Sequence, residues 1–79
     1  MEKIVSTFEK NVTETVKVGT SDFNNLDLIF VRVWVQNSKG QEVPTKKGLT
    51  LKAELYPQLK EAIDKLGDEL VSSGLLSDI

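Results

Sequence analysis

Aromatic and basic side chains alternate along the most apolar segment of the sequence. Phe30, Arg32 and Trp34 are spaced two residues apart, and in a β-strand this spacing places them on one face. Aromatic rings stack on nucleic-acid bases and a guanidinium binds phosphate, so one interpretation is a platform for single strands. The opposite face is aliphatic and carries Ile29, Val31, Val33 and Val35.

A second interpretation fits the same periodicity. Both faces of the strand are then covered, one by a helix and the other by a partner subunit, with Arg32 paired to an acidic side chain. The aromatic face would dock protein in that case, and the chain would be a protein-interaction or dimerisation module. Periodicity alone supports the two interpretations equally.

The remaining residue types argue against catalysis. The chain has no histidine and no cysteine, which removes the usual base for activating serine, the thiolate nucleophile and the commonest zinc ligands. There is also no glycine-rich phosphate loop. Four clustered acids follow a helical pattern whose simplest interpretation is a solvated face; they are Glu61, Asp64, Asp68 and Glu69. We expect no enzymatic activity, no metal and no cofactor.

Chain length and composition predict a small dimer. A chain of 79 residues holds a single domain, and a monomer of this size buries little of its surface. Disulfides and a zinc site are excluded by the missing residue types, so dimerisation is the remaining source of stability. No apolar run approaches the length of a membrane span and no signal peptide is evident. We expect a cytoplasmic protein without a membrane partner.

Charge is distributed unevenly along the chain. Residues 1–53 carry eight basic and six acidic side chains, whereas residues 54–79 carry two basic and six acidic ones. The first part is therefore net positive although the whole chain carries a charge of −2. This imbalance weakly favours a polyanionic partner for the first part.

The alternation and turn residues predict a strand-rich first part. A strand is expected from Asn11 to Val18, a second from Leu26 to Gln36 and a third from about Gln41 to Leu51. Lys3–Glu9 adds a short strand. Tight turns are expected at Asn24-Asn25 and at residues 37–40, because asparagine and glycine tolerate left-handed backbone. Pro44 indicates an edge strand or a bulge.

The period then changes to that of an amphipathic helix over about residues 54–72. Pro57 must fall in its first turn, which places the helix start near Ala53 or Glu54. Gly67 either ends the helix early or permits a close helix crossing in a dimer. The predicted dimer interface is this helical face, with Leu59, Ile63, Leu66, Gly67 and Leu70.

The C-terminal tail, residues 73–79, allows two interpretations. It packs back on the helix after a Gly74 cap, which is the favoured one, or its apolar and acidic residues recruit replication, recombination or transcription proteins.

The segment Pro44-Thr45-Lys46-Lys47-Gly48-Leu49-Thr50-Leu51, taken with Arg32 and the following helix, resembles the Positive Cofactor Four transcriptional coactivator family. The shared order is a strand with internal arginine and aromatic residues, a glycine turn, a proline, two basic residues, a Gly-Leu-Thr-Leu run and a helix. The resemblance extends from about Asp22 to Leu70.

The resemblance implies a curved four-stranded antiparallel sheet followed by a C-terminal amphipathic helix, an α+β fold that dimerises and holds single-stranded DNA in transcription, replication or recombination. Carried over by position, Phe23 would stack on a base, Arg32, Lys46 and Lys47 would meet phosphates, and Trp34 would take an aromatic position. The full set of expected contacts with single-stranded DNA is Phe23, Arg32, Trp34, Lys46, Lys47, Phe30, Asn24, Lys17 and Lys39. The compact chain is similar to bacterial and bacteriophage members.

Several positions depart from the family pattern. Asn24 and Leu26 stand where lysines usually follow the phenylalanine, Val43 replaces a basic residue before the proline, and Val35 replaces the second of two adjacent aromatics. We therefore expect binding to depend more on stacking than on charge.

Overall fold

The computed structural model describes residues 1–77 as four strands followed by a helical segment. The strands are β1 (Lys3–Glu9), β2 (Glu14–Phe23), β3 (Leu26–Gln36) and β4 (Glu42–Lys52), and they form one antiparallel sheet in the order β1-β2-β3-β4. A 3-10 turn at Ala53–Leu55 leads into the helix α1 (Tyr56–Ser72). The predicted α+β class, with a four-stranded antiparallel sheet and a C-terminal helix, is confirmed.

The β2–β3 hairpin closes through a two-residue turn. Asn24 and Asn25 have φ values of 50° and 65°, the left-handed pair that a type I′ turn requires. From the Phe23–Leu26 pair the register continues without interruption to Glu14–Val35. The predicted turn and the predicted bounds of β3 are both confirmed. Because the pairing is regular, alternate residues of β2 and β3 share a face.

Strand β2 begins later and ends later than the sequence indicates. The side chain of Asn11 accepts hydrogen bonds from the backbone N–H groups of Thr13, at 3.1 Å, and Glu14, at 2.9 Å. Asn11–Thr13 therefore form a turn, and Val12 is 97% exposed there. The prediction of a strand over Asn11–Val18 is wrong at both ends. The strand starts late because the asparagine side chain satisfies donors that a strand would need for its ladder, and it ends late because its pairing with β3 continues to Phe23.

Strand β4 is an edge strand with a bulge, as Pro44 suggests. The paired residues change from Arg32–Gly48 to Trp34–Pro44, so β4 has two more residues between these pairs than β3 has. Gly48 has φ 129°, and a Cβ there would lie 2.1 Å from the Val31 carbonyl oxygen. Only glycine fits this close crossing of the two strands.

The helix α1 begins without a side-chain cap and continues without a break to Ser72. Pro57 occupies the first turn of α1, where its missing N–H is not needed. At the predicted start, Ala53, the chain forms the 3-10 turn, and the α-helix itself begins at Tyr56. It continues through Gly67, so that glycine does not end it early. This helix lacks the apolar length needed to span a bilayer.

The chain turns back after the helix. Gly74 adopts φ 74°, and the Leu75 and Leu76 N–H groups donate to the Leu70 carbonyl oxygen at 2.9 and 3.1 Å. This is a left-handed glycine cap of the kind predicted for the tail. The last two positions of the predicted tail, Asp78 and Ile79, lie outside the described residues.

The helix approaches the sheet only near its own start. An apolar cavity of about 340 Å³ separates Tyr56 and Leu59 from strand residues that include Val18, Ile29 and Val31. Among residues 1–77, Phe30 is the only buried hydrophobic side chain, 5% exposed. The helix therefore lies over the aliphatic side of the sheet without closing a core.

Candidate nucleic-acid interface

The regular register gathers the predicted aromatic and basic residues of β2 and β3 on one side of the sheet. Lys17 lies opposite Arg32, Gly19 opposite Phe30, and Phe23 opposite Leu26. We call this side, which carries Lys17, Phe23, Phe30, Arg32 and Trp34, the aromatic face. The other side carries Ile29, Val31, Val33, Val35, Val16 and Val18, and we call it the aliphatic face. From Leu26 to Trp34 the aromatic face runs for about 27 Å at the usual strand rise.

Two cations stand side by side near the middle of the aromatic face. Lys17 and Arg32 are direct cross-strand partners, an arrangement that repels unless other groups compensate. Arg32 donates from Nη1 to the Thr45 carbonyl oxygen at 3.1 Å and from Nη2 to Thr50 Oγ1 at 2.7 Å. Neither acceptor carries a formal charge. Within residues 1–77 Arg32 has no acidic partner, so the pairing that the alternative interpretation required is absent there.

Lys17 does have a carboxylate partner. Its Nζ lies 3.2 Å from Glu42 Oε1 and 5.4 Å from the centroid of the Trp34 ring. Thr15 Oγ1 donates to the second Glu42 oxygen at 2.9 Å. The hydrogen bond from Thr15, followed by that from Lys17, holds the pKa of Glu42 below its ordinary value of 4.5. Glu42 is therefore ionised at neutral pH.

Phe30 is placed on the predicted face but is inaccessible. Its ring lies against Gly19, where a Cβ would come within 2.9 Å of Phe30 Cζ and 2.0 Å of the Lys3 carbonyl oxygen. Because the side chain is only 5% exposed, it offers no free ring face to a base. The expectation that Phe30 contacts DNA is corrected: this residue packs within the sheet.

The predicted residues at the hairpin ends lie far apart. Phe23 is 65% exposed beside the left-handed turn residue Asn24. Lys39 lies in the turn at the opposite end of the sheet, where its N–H donates to Asn37 Oδ1 at 2.9 Å. The aromatic face therefore has an exposed ring at one end and an exposed lysine in the turn beyond the other.

The two lysines of the bulge differ in their surroundings. Lys46 is exposed and has no ion-pair partner among residues 1–77. Lys47 Nζ lies 3.5 Å from Glu14 Oε2, and Glu14 is opposite Val35 on the aliphatic side. Hydrogen bonds from Asn11 and then Lys10 hold the pKa of Glu14 below its ordinary value of 4.5. The structure therefore does not bring Lys47 together with Arg32 and Trp34.

Three residues of this face were missed by sequence reasoning. Thr50 and Lys52 pair with Phe30 and Leu28 and so share the aromatic face. The alternation of Gly48, Thr50 and Lys52 was visible in the sequence and could have found them. Glu42 was not foreseeable, because it reaches Lys17 across an intervening strand.

The predicted dimer residues lie along the apolar side of the helix, which is uncovered. Ile63 is 55% exposed and Leu66 is 53% exposed, while Leu59 and Leu70 are half-buried. Gly67 is buried. Tyr56 is 53% exposed at the start of the same helix. This apolar side of α1 is therefore available for contact with another protein surface.

Comparisons with known proteins match this geometry. The sequence profile of Transcriptional Coactivator p15 (PC4) matches residues 10–62, which include β2, β3, β4 and the start of α1. None of the curated protein sequences matches the chain.

Solved structures share the fold. BPSL1147, a PC4 homolog from Burkholderia pseudomallei, is 22% identical over 80% of this chain and 93% of its own, with a TM-score of 0.72. The bacteriophage T5 homolog of the coactivator, implicated in recombination-dependent DNA replication, is 19% identical over 98% and 83%, with a TM-score of 0.62. MoSub1, solved as a complex with DNA, is 30% identical over 87% and 85%, with a TM-score of 0.64.

Proposed function

Because the chain belongs to the Transcriptional Coactivator p15 (PC4) family, we propose that it is a non-catalytic protein that binds single-stranded DNA on its aromatic face as a homodimer. The observation that carries the proposal is the cross-strand pair of Lys17 and Arg32 beside Trp34. Cations and aromatic rings on one open sheet face are what single-strand binders require.

The relatives support DNA as the ligand. MoSub1 was solved with DNA bound, and it is 30% identical to this chain over most of both sequences. The phage T5 homolog is implicated in recombination-dependent replication, a process that exposes single strands. The proposal covers any such process, in transcription, replication or recombination.

Each part of the aromatic face has a distinct role in the proposed complex. Arg32, supported by neutral acceptors only, keeps its charge available for a phosphate. Phe23, exposed at the hairpin end, and Trp34, near the opposite end of β3, provide rings for bases. Phosphate contacts position a strand and stacking tolerates every base, so this surface has little means of selecting a sequence.

The shape of the face favours single strands over duplex DNA. Stacking on Phe23 requires a base whose flat side is free, and bases in a duplex are already stacked on both sides. Reading the major groove needs a protruding helix or ribbon, whereas the start of α1 approaches the sheet from its other side. A duplex would therefore meet the cations but not the rings.

Surface that a single chain leaves uncovered supports the proposed homodimer. The chain exposes 6293 Å², compared with about 4,800 Å² for a folded monomer of this size. Its radius of gyration is 14.8 Å, compared with about 12 Å expected for this length. The excess of about 1,500 Å² per chain is in the range of obligate homodimers.

A second copy of the chain is the partner that fits the exposed apolar side of α1. The exposed apolar residues lie along one helix side, including Ile63 and Leu66, and a twofold axis would bring the same stripe of a second chain against it.

The proposal is tested by titrating the protein with a labelled oligothymidine and with a duplex of equal length, while sedimentation gives its mass. We expect a dimer that binds the single strand more tightly than the duplex. Equal or tighter binding of the duplex would refute single-strand binding. A monomeric mass at micromolar concentration would refute the dimer.

A further inference from the structure

Glu42 forms a bridge across the strand that carries Trp34. It belongs to β4, where it pairs with Gln36 of β3, yet its carboxylate contacts Lys17 at 3.2 Å and Thr15 at 2.9 Å, both on β2. Since β3 lies between β2 and β4, the side chains of Glu42 and Lys17 meet above it. Trp34 is the residue of β3 opposite Thr15.

The bridge covers the indole of Trp34. Lys17 Nζ lies 5.4 Å from the ring centroid, so one face of the ring is occupied by a cation. The indole Nε1 is buried and has no hydrogen-bond partner among the described residues. An unpaired buried donor is unfavourable, so access of water or a ligand to it would be favourable.

We infer that the Glu42 carboxylate is an internal substitute for a DNA phosphate: in the free protein it holds Lys17 over Trp34, and a bound strand replaces it. The inference rests on the proposed function and adds to it a residue that limits affinity. A phosphate and a carboxylate offer the same anionic oxygens to an ammonium group. Displacing Glu42 both frees Lys17 for a phosphate and uncovers the ring for a base.

The local charges make the exchange feasible. The side chains of Lys17 and Glu42 are 16% and 40% exposed, and ion pairs with access to water contribute little. Arg32 is adjacent to Lys17 and has only neutral acceptors, so it attracts a phosphate before the bridge opens. A displaced Glu42 remains close to the bound strand and repels it, which lowers affinity further.

The test uses Glu42→Gln, which removes the charge and preserves the shape. We expect oligothymidine to bind roughly two- to tenfold more tightly, the range of one ion pair and one nearby repulsion. Lys17 then neutralises a phosphate without losing a partner, so the slope of log affinity against log salt should steepen by up to about 0.7.

Glu61→Gln is the matched control, because it makes the same chemical change in an ion pair of similar length. Glu61 contacts Lys65 at 3.3 Å on the helix, away from the aromatic face. An equal gain in both variants would show an effect of net charge alone and overturn the inference. No gain in Glu42→Gln, with wild-type binding intact, would also overturn it.

Emission of Trp34 without DNA provides a second readout. If the bridge covers the ring, Glu42→Gln and Lys17→Met both shift the emission of the free protein, whereas Glu61→Gln does not. Unchanged emission in both bridge variants would contradict the proposed cover. If neither wild type nor Glu42→Gln binds single strands, the proposed function fails, and the inference that Glu42 substitutes for a DNA phosphate fails with it.

Discussion

The two faces of the sheet satisfy their side chains in different ways. On the aromatic face, Arg32, Lys17 and Glu42 all have hydrogen-bond or ion-pair partners within the same chain. On the aliphatic side, α1 approaches the sheet only near Tyr56 and leaves Ile63 more than half exposed. The charged groups of the first surface have partners within the chain and can remain in water, whereas the apolar stripe of α1 is left without a cover. This difference supports the proposed DNA site on the first face and the proposed second subunit on the helix.

Ile63→Ala tests the helix side and should have the largest effect on stability. If a second copy covers Ile63, the substitution should lower the free energy of unfolding by about 2 to 4 kcal/mol and shift the mass towards monomer. Chemical denaturation at several protein concentrations measures the first effect, and sedimentation measures the second.

Val12→Ala is the control for that experiment. Val12 is 97% exposed in the β1–β2 turn, so its truncation should change stability by less than about 0.5 kcal/mol. If Ile63→Ala changes stability as little as Val12→Ala does, the apolar side of α1 is exposed to water in solution and the contrast between the two faces is lost.

Phe23→Ala tests the aromatic face. Loss of one stacking ring should weaken binding of oligothymidine by about 1 to 3 kcal/mol with little change in stability, because the side chain is 65% exposed. Fluorescence anisotropy of a labelled oligonucleotide measures the affinity.

Phe8→Ala is the matched control for Phe23→Ala. Phe8 is 58% exposed and pairs with Val16, so it lies on the aliphatic side. With both variants first shown to be dimeric, Phe8→Ala should bind as the wild type does. Equal losses of affinity in the two variants would show that DNA binding does not depend on which face carries the ring.

Lys46→Ala and Lys47→Ala sharpen the comparison within the bulge of β4. Both should weaken binding without changing base preference, since phosphate contacts do not identify bases. Lys46 should have the larger effect and make the salt slope shallower by about 0.7, because Lys47 already contacts Glu14. A larger loss in Lys47→Ala would place the DNA partly on the aliphatic side.

The smallest expected effect is that of pH. Partners lower the pKa values of Glu14 and Glu42 below 4.5, and the chain has no histidine. A lowered pKa contributes stability that is present above the unfolded value and is lost as pH falls through the folded one. Stability should therefore be flat from pH 6 to about pH 8 and decline only in acid, and DNA affinity should be flat over the same neutral range. A transition near neutral pH would contradict these assignments.

Local patterns in the sequence were sufficient for the central hairpin. Alternation over Leu26–Gln36 gave the bounds of β3, and Asn24-Asn25 gave its turn. Both signals are local, because strand alternation and left-handed turn residues depend on few distant contacts. The helix was foreseeable for the same reason, apart from the 3-10 turn at its start.

Two of the three features that could not be predicted depend on contacts between strands. The start of β2 is set by the Asn11 side chain, which competes with the ladder. The bulge inserts two extra residues of β4 between Gly48 and Pro44, so the cross-strand neighbours of Lys47, Glu14 among them, could not be assigned by counting residues. The bridge from Glu42 to Lys17 spans three strands and has no local signal.

The most direct test of the central claim is the emission of Trp34, the only tryptophan, during titration with oligothymidine. If single-stranded DNA binds the aromatic face, emission should change saturably with the same midpoint as the anisotropy of the labelled strand, and Arg32→Ala should weaken both together. Binding seen by anisotropy with no change in Trp34 emission would show that DNA occupies another surface, and the account would be wrong.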